Sequence, residues 1–223
     1  MKPKKKILII GMRHGIATSE DVIGRRPGFL EIHFPRLSRA LFPPSPPSRN
    51  QEIMALIKQR VKKGYKVGFE IGKEWLAEIM DPEYMGLHNM AQFIWGLRQQ
   101  EAEIIPIEDE KRHYKQGKVI EKRVLSPLDR KLDKKYNKIT FQRSVVHAIN
   151  SLKNDVDVIV VGQNHAVHIA ELLKRAGYEV ELNVNRQFQK ENQRLQEKAS
   201  KDPVFNRRLN RLAEFINRKA NSA

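Results

Sequence analysis

Five short apolar runs punctuate an otherwise polar chain: residues 7–10 (ILII), 66–71 (KVGFEI), 103–107 (EIIPI), 156–161 (VDVIVV) and 178–182 (YEVEL). The first and fourth are almost wholly aliphatic, the pattern of strands covered on both faces in a parallel sheet. Between the runs the apolar spacing turns helical. Residues 51–63 follow a candidate Asn50 cap and stop at Gly64. Residues 87–102 carry Met90, Phe93, Ile94 and Leu97 on one face, residues 140–152 are amphipathic, and residues 166–176 stop at Gly177. Strand and helix in alternation predict an α/β fold, a mainly parallel sheet with helices on both faces.

Two stretches break that rhythm. FPPSPPS at residues 42–48 cannot be helix or central strand, because proline fixes φ and removes a donor, and it reads as a surface loop. From Asn185 onward the chain becomes two polar helical pieces broken near Asp202-Pro203. The second piece crowds Arg207, Arg208, Arg211, Arg218 and Lys219 beside an apolar stripe of Leu209, Leu212, Phe215 and Ile216, which predicts docking on the domain or on a partner. The expected division is an α/β catalytic-type domain over 1–184 and a basic helical C-terminal extension over 185–223.

Composition narrows the partners. The 223 residues include no cysteine, so neither disulfides nor thiolate metal sites hold or run this protein. The basic start MKPKKK leads into only four apolar residues, too few for a signal peptide, and no later run approaches a membrane span. A cytoplasmic protein with no membrane contact is expected. A formal charge of +16 either keeps the surface dispersed or meets a polyanion such as nucleic acid or a ribosome, and the basic C-terminal segment is the candidate contact. That segment could equally serve as a homodimer arm.

The candidate chemistry lies where strands end, since ligands of a parallel sheet bind beyond the carboxyl edge. The first strand runs into Gly11-Met12-Arg13-His14 and the fourth into Gly162-Gln163-Asn164-His165. Each glycine is expected to turn the chain where a Cβ would obstruct, with Gly11, Arg13 and Gly162 supplying an anion-binding edge. Glu70 ends the second strand, and Glu108, Asp109 and Arg112 follow the third. His14, Glu70 and His165 would suit a divalent metal (Mn, Co or Zn) with open positions for water and substrate. The same groups could work without metal as base, orienting carboxylate and anion-holding Arg. His33, His88, His113 and His147 read as surface or packing residues, while His168, one helical turn after His165, is either a ligand or a wall of the cleft.

These motifs resemble the TraB/TIKI superfamily, which also takes in the erythromycin esterase and ChaN-like haem-uptake groups. The resemblance spans roughly residues 7–182 and rests on GMRH, on VGFEIGKE with Glu70, on IIPIEDEKR with Arg112, on FQRSVVHAI with Arg143, and on GQNH. It implies a site of His14, Glu70, Arg143 and His165, and a hydrolase of metal-dependent protease or metal-independent esterase type. Two departures stand out. A Gly follows the first His, and either Glu108 or Asp109 could be the third-strand acid.

Two other readings compete. Arg13-His14-Gly15 resembles the histidine phosphatase signature and VLSPLDR its second Arg motif, which would make His14 a phosphohistidine clamped by Arg13, Arg130 and His165. A non-enzymatic role would bind nucleic acid or a ribosome through RRLNRLAEFINRK at the C-terminus.

Overall fold

The computed structural model describes residues 5–12, 49–80, 89–125 and 129–222. Five strands form one all-parallel sheet: β1 (Lys6–Met12), β2 (Lys66–Phe69), β3 (Glu103–Pro106), β4 (Val158–Gly162) and β5 (Glu179–Asn183). Their order across the sheet is β3-β2-β4-β1-β5. The helices are α1 (Arg49–Arg60), α2 (Lys73–Ile79), α3 (Asn89–Gln99), α4 (Glu110–Leu125), α5 (Arg130–Lys153), α6 (Gln163–Arg175), α7 (Arg186–Lys201) and α8 (Pro203–Asn221).

The alternation of side chains along each strand builds a separate core on either face of the sheet. Ile7 and Ile9 of β1 and Ile159 and Val161 of β4 face one way, into a core completed by Ala148 of α5, Ile169 and Leu172 of α6, and the C-terminal helices. Ile10, Met12, Val158 and Val160 face the other, against Ile57 of α1 and Phe93, Ile94 and Leu97 of α3. Burial on both faces is why β1 and β4 are apolar at nearly every position.

β1 lies so close to the chain after β5 that a Cβ at Gly11 would sit 2.7 Å from Val184 Cγ1 and 3.1 Å from Gln163 Cα. Gly11 is therefore a strand residue required by close packing, not the turn expected from the sequence, and β1 continues through Met12. The second expected turn is also absent. β4 passes straight into α6, with Gly162 the last strand residue and Gln163 the first helical one. Gly177 does behave as anticipated: at φ 87° it stops α6 in the left-handed region that favours glycine.

The last two helices share the core of the domain. Ala199, Leu209, Ala213 and Ile216 are buried, while Arg207, Arg208, Arg211, Arg218 and Lys219 stay exposed. Arg175 of α6 donates from Nη1 to Asn206 and Asn210 at 2.5 and 2.6 Å and from Nε to Glu171 at 2.6 Å, fixing α8 against α6. Among the described residues no helix is long and apolar enough to cross a membrane.

Candidate functional site

β2 and β4 are neighbours, and both end beside the same cluster of polar side chains. Glu70 immediately follows β2; its amide donates to the Val160 carbonyl at 3.1 Å, so the ladder with β4 continues and points the residue into the sheet edge. Its Oε2 accepts the Gly162 N–H at 2.6 Å. The amide at the end of β4 and the start of α6 is thus occupied by a carboxylate of the protein itself. Glu108 leaves β3 two residues after its end, with a side chain only 4 % exposed, and its Oε1 accepts the Asp109 N–H at 2.9 Å.

α5 supplies the groups that join these carboxylates. Arg143 donates from Nη2 to Glu70 Oε1 at 2.7 Å and to Glu108 Oε2, from Nε to Glu108 Oε1 at 3.2 Å, and from Nη1 to Gln116 Oε1 of α4. One turn further, His147 is fully buried, with Nε2 3.3 Å from Glu108 Oε1. Neither of its ring nitrogens makes a well-directed hydrogen bond to a described residue. From α6 comes His165, also fully buried, with Nε2 3.3 Å from Glu70 Oε1 and its ring 5.0 Å from that of His147.

Ser144 fixes the orientation of His165. Its Oγ donates to the Thr140 carbonyl at 3.0 Å and lies 2.8 Å from His165 Nδ1 and 3.3 Å from His168 Nδ1. A hydroxyl has one hydrogen. With that hydrogen on Thr140, Ser144 accepts the Nδ1–H of His165 and leaves Nε2 turned toward Glu70.

The charges are arranged to stay ionised. Burial opposes the negative charge on Glu70, but the positive potential of His165, His147 and Arg143 and the Gly162 N–H outweigh it and hold the carboxyl below its ordinary value. Burial also opposes the charge on Glu108, where contacts from His113, His147 and Arg143 prevail and drive the carboxyl far below the usual carboxylate range. Arg143 is raised in turn: burial opposes its charge, and Glu108 and Glu70 more than restore it. His168 has no such support, and burial pushes its imidazole down to about 4. Two carboxylates, one guanidinium and two fully buried imidazoles thus stand within contact of one another.

The donor set fits a cation. Glu70, Glu108 and His147 each offer one ligand atom, and these atoms lie within 4.8 Å of one another. Two carboxylate oxygens and an imidazole nitrogen suit a divalent ion of the Mn, Co or Zn type, and His147 is a buried donor with no other directed use. A cleft of about 760 Å³ opens beside Glu108, with Lys73, Glu74, Asp109, Lys111, Asn150 and Asn154 among its walls.

Of the residues expected from the sequence, Glu70, Glu108, Arg143, His165 and the Gly162 amide meet in this cluster. Asp109 and Arg112 do not. They pair with each other at 3.0 Å in the first turn of α4, both partly exposed. Arg130 opens α5, exposed and thirteen residues from Arg143, or about 20 Å along the helix, so it does not enter the cluster. His14 and Arg13 lie outside the described residues, as do His33, His88 and the 42–48 loop; the chain leaves β1 toward them at Met12, registered against Gly162. His147, read from sequence as surface or packing, is a member of the site. Its signal was the stripe Thr140, Arg143, Ser144, His147 and Ser151, polar residues at helical spacing that are all buried. Such a stripe on an inward face marks a site rather than a core.

No protein-family model, no curated protein and no solved structure matches this chain.

Proposed function

We propose that this protein is a hydrolase of the TraB/TIKI type, acting on an ester or amide, with a divalent cation held by Glu70, Glu108 and His147. The observation that carries the reading is the meeting of one ligand atom each from Glu70, Glu108 and His147 within 4.8 Å of one another in a buried cluster. Two carboxylate oxygens and an imidazole nitrogen that close together are a donor set for a divalent cation with positions left for water and substrate. The proximity of Arg143 and His165 to Glu70, at 2.7 and 3.3 Å, supports the resemblance to that superfamily.

The bound cation would lower the proton affinity of a water and polarise the substrate carbonyl. The protein's own groups then divide the work. Carboxyls held as far toward the ionised form as Glu70 and Glu108 are weak bases at neutral pH, so they serve as ligands and anchors. Proton transfer falls to His165, whose Nε2 Ser144 directs to the Glu70 side of the cluster. Arg143 keeps the two carboxylates in place by donating to both.

The test is elemental analysis and thermal shift of the purified protein with Mn²⁺, Co²⁺, Zn²⁺ and Mg²⁺, followed by a peptide and ester screen with the ion that binds. Glu108→Gln and His147→Ala should each remove the shift and the hydrolysis. Hydrolysis that survives both substitutions and chelation would overturn the assignment.

A further inference from the structure

The helices that furnish the cluster also carry a surface the cluster does not use. Glu108, His113 and Gln116 ascend along one chain segment as His147, Arg143 and Thr140 descend along the other, so α4 and α5 form an antiparallel pair. The end of that pair away from the sheet stands clear of the core. None of residues 130–139 is fully buried, whereas Thr140, Arg143, Ser144, His147, Ala148 and Ser151 all are. The arm begins about 20 Å along α5 from Arg143.

Its charge is lopsided. Residues 110–138 hold eleven Lys or Arg against four Asp or Glu, and one of those acids, Asp129, is occupied in capping α5 through the Lys131 N–H. Lys131, Lys134, Lys135 and Lys138 lie at helical spacing along α5, and Lys118 and Lys122 stand one turn apart on α4. All six are exposed, and none forms an ion pair among the described residues. Beside them Tyr114 is 64 % exposed, with Lys118 Nζ 4.5 Å from its ring centroid.

We propose that this arm is a nucleic-acid-binding surface. Its two rows of lysines neutralise backbone phosphates, and Tyr114 gives an unpaired base a face on which to stack. A single strand fits better than an anionic membrane, because Tyr114 presents an exposed aromatic face directly beside the Lys118 cation, the pairing that holds a stacked base next to its phosphate. The surface is distinct from the exposed arginines of α8, and the proposal does not depend on the cluster binding a metal.

Fluorescence anisotropy of the full chain with labelled single-stranded RNA and DNA across a salt series tests it. Lys131→Glu/Lys134→Glu/Lys138→Glu, all at exposed positions, should bind at least tenfold more weakly, with the log–log salt slope shallower by about 2. Tyr114→Ala should weaken binding about tenfold with the salt slope unchanged. Arg207→Glu/Arg211→Glu/Arg218→Glu on α8 is the control and should bind within about threefold of wild type. Circular dichroism melts of each variant exclude unfolding as the cause. Binding lost in the α8 variant but kept in the arm variant, no binding to either oligonucleotide at low salt, or capture by phosphatidylserine vesicles alone would each overturn the proposal.

Discussion

Arg143 bridges the two carboxylates of the site with one side chain. It is 3 % exposed and touches both carboxylates, so its removal leaves two buried negative charges without their fixed partner. Arg143→Met should therefore cost about 3–5 kcal/mol at neutral pH by denaturant unfolding. In that variant the carboxyls lose one of the groups that hold them below their ordinary value. The loss should then shrink as pH falls, because the stability contributed by a lowered folded carboxyl is present above its unfolded value and disappears in wild type as the medium is acidified. An equal loss at pH 7 and pH 4 would mean that the guanidinium acts by packing alone. His168 gives a second, separable pH effect. Burial depresses it from 6.5 to about 4, so between those values the unfolded chain binds a proton that the folded one refuses, and stability falls as the medium is acidified. His168→Gln should flatten the denaturation midpoint across that window, and a slope identical to wild type would contradict the burial effect.

At the scale of elements, a few local choices hold the site's frame. Asp202 caps α8 by accepting the Val204 and Phe205 amides at 3.0 Å, immediately before Pro203 in the first turn. Asp202→Ala should lower stability by about 1 kcal/mol. Gly11→Ala should cost more, about 1–3 kcal/mol, since its Cβ meets the branched Val184 and backbone of Gln163; chemical denaturation distinguishes the two. β1 and β4 could be read from their aliphatic runs because burial on both faces leaves few polar positions to blur them. The edge strands β3 and β5 keep Glu103, Glu179 and Glu181 and could be read from the apolar residues between. Helices α2 and α4 could not. KEWLAEI is short, and α4 is so rich in lysine that few apolar positions reveal its period. The early half of α5 hid for the same reason. The Gly-x-x-His segment after β4 was misread as a turn because Gly162 keeps a negative φ of −57°, and the sequence does not distinguish a glycine that turns the chain from one that only ends a strand. His147 is hard to place from sequence because a lone histidine in a helix ordinarily signals packing, and the stripe it shares with Arg143 and Ser144 gains its meaning from Glu108, which follows β3.

For the whole molecule, topology decides where chemistry can gather. With β4 inserted between β2 and β1, chain segments from β2, β3 and β4 all end at one edge, and α5 returns across it before feeding β4. Glu70, Glu108, Arg143, His147 and His165 come from positions up to 95 residues apart in the chain, and only this strand order makes them neighbours. The convergence is of one chemical kind, a carboxylate pair bridged by one guanidinium with two buried imidazoles against it. The most direct measurement is the melting temperature of wild type and of Glu108→Gln/His147→Ala, each without metal and with Mn²⁺, Co²⁺, Zn²⁺ or Mg²⁺. A metal-dependent rise in wild type that disappears in the double variant is the predicted result. A rise of equal size in both proteins, or none in wild type with any of the four ions, would contradict the assignment of this cluster as a cation site.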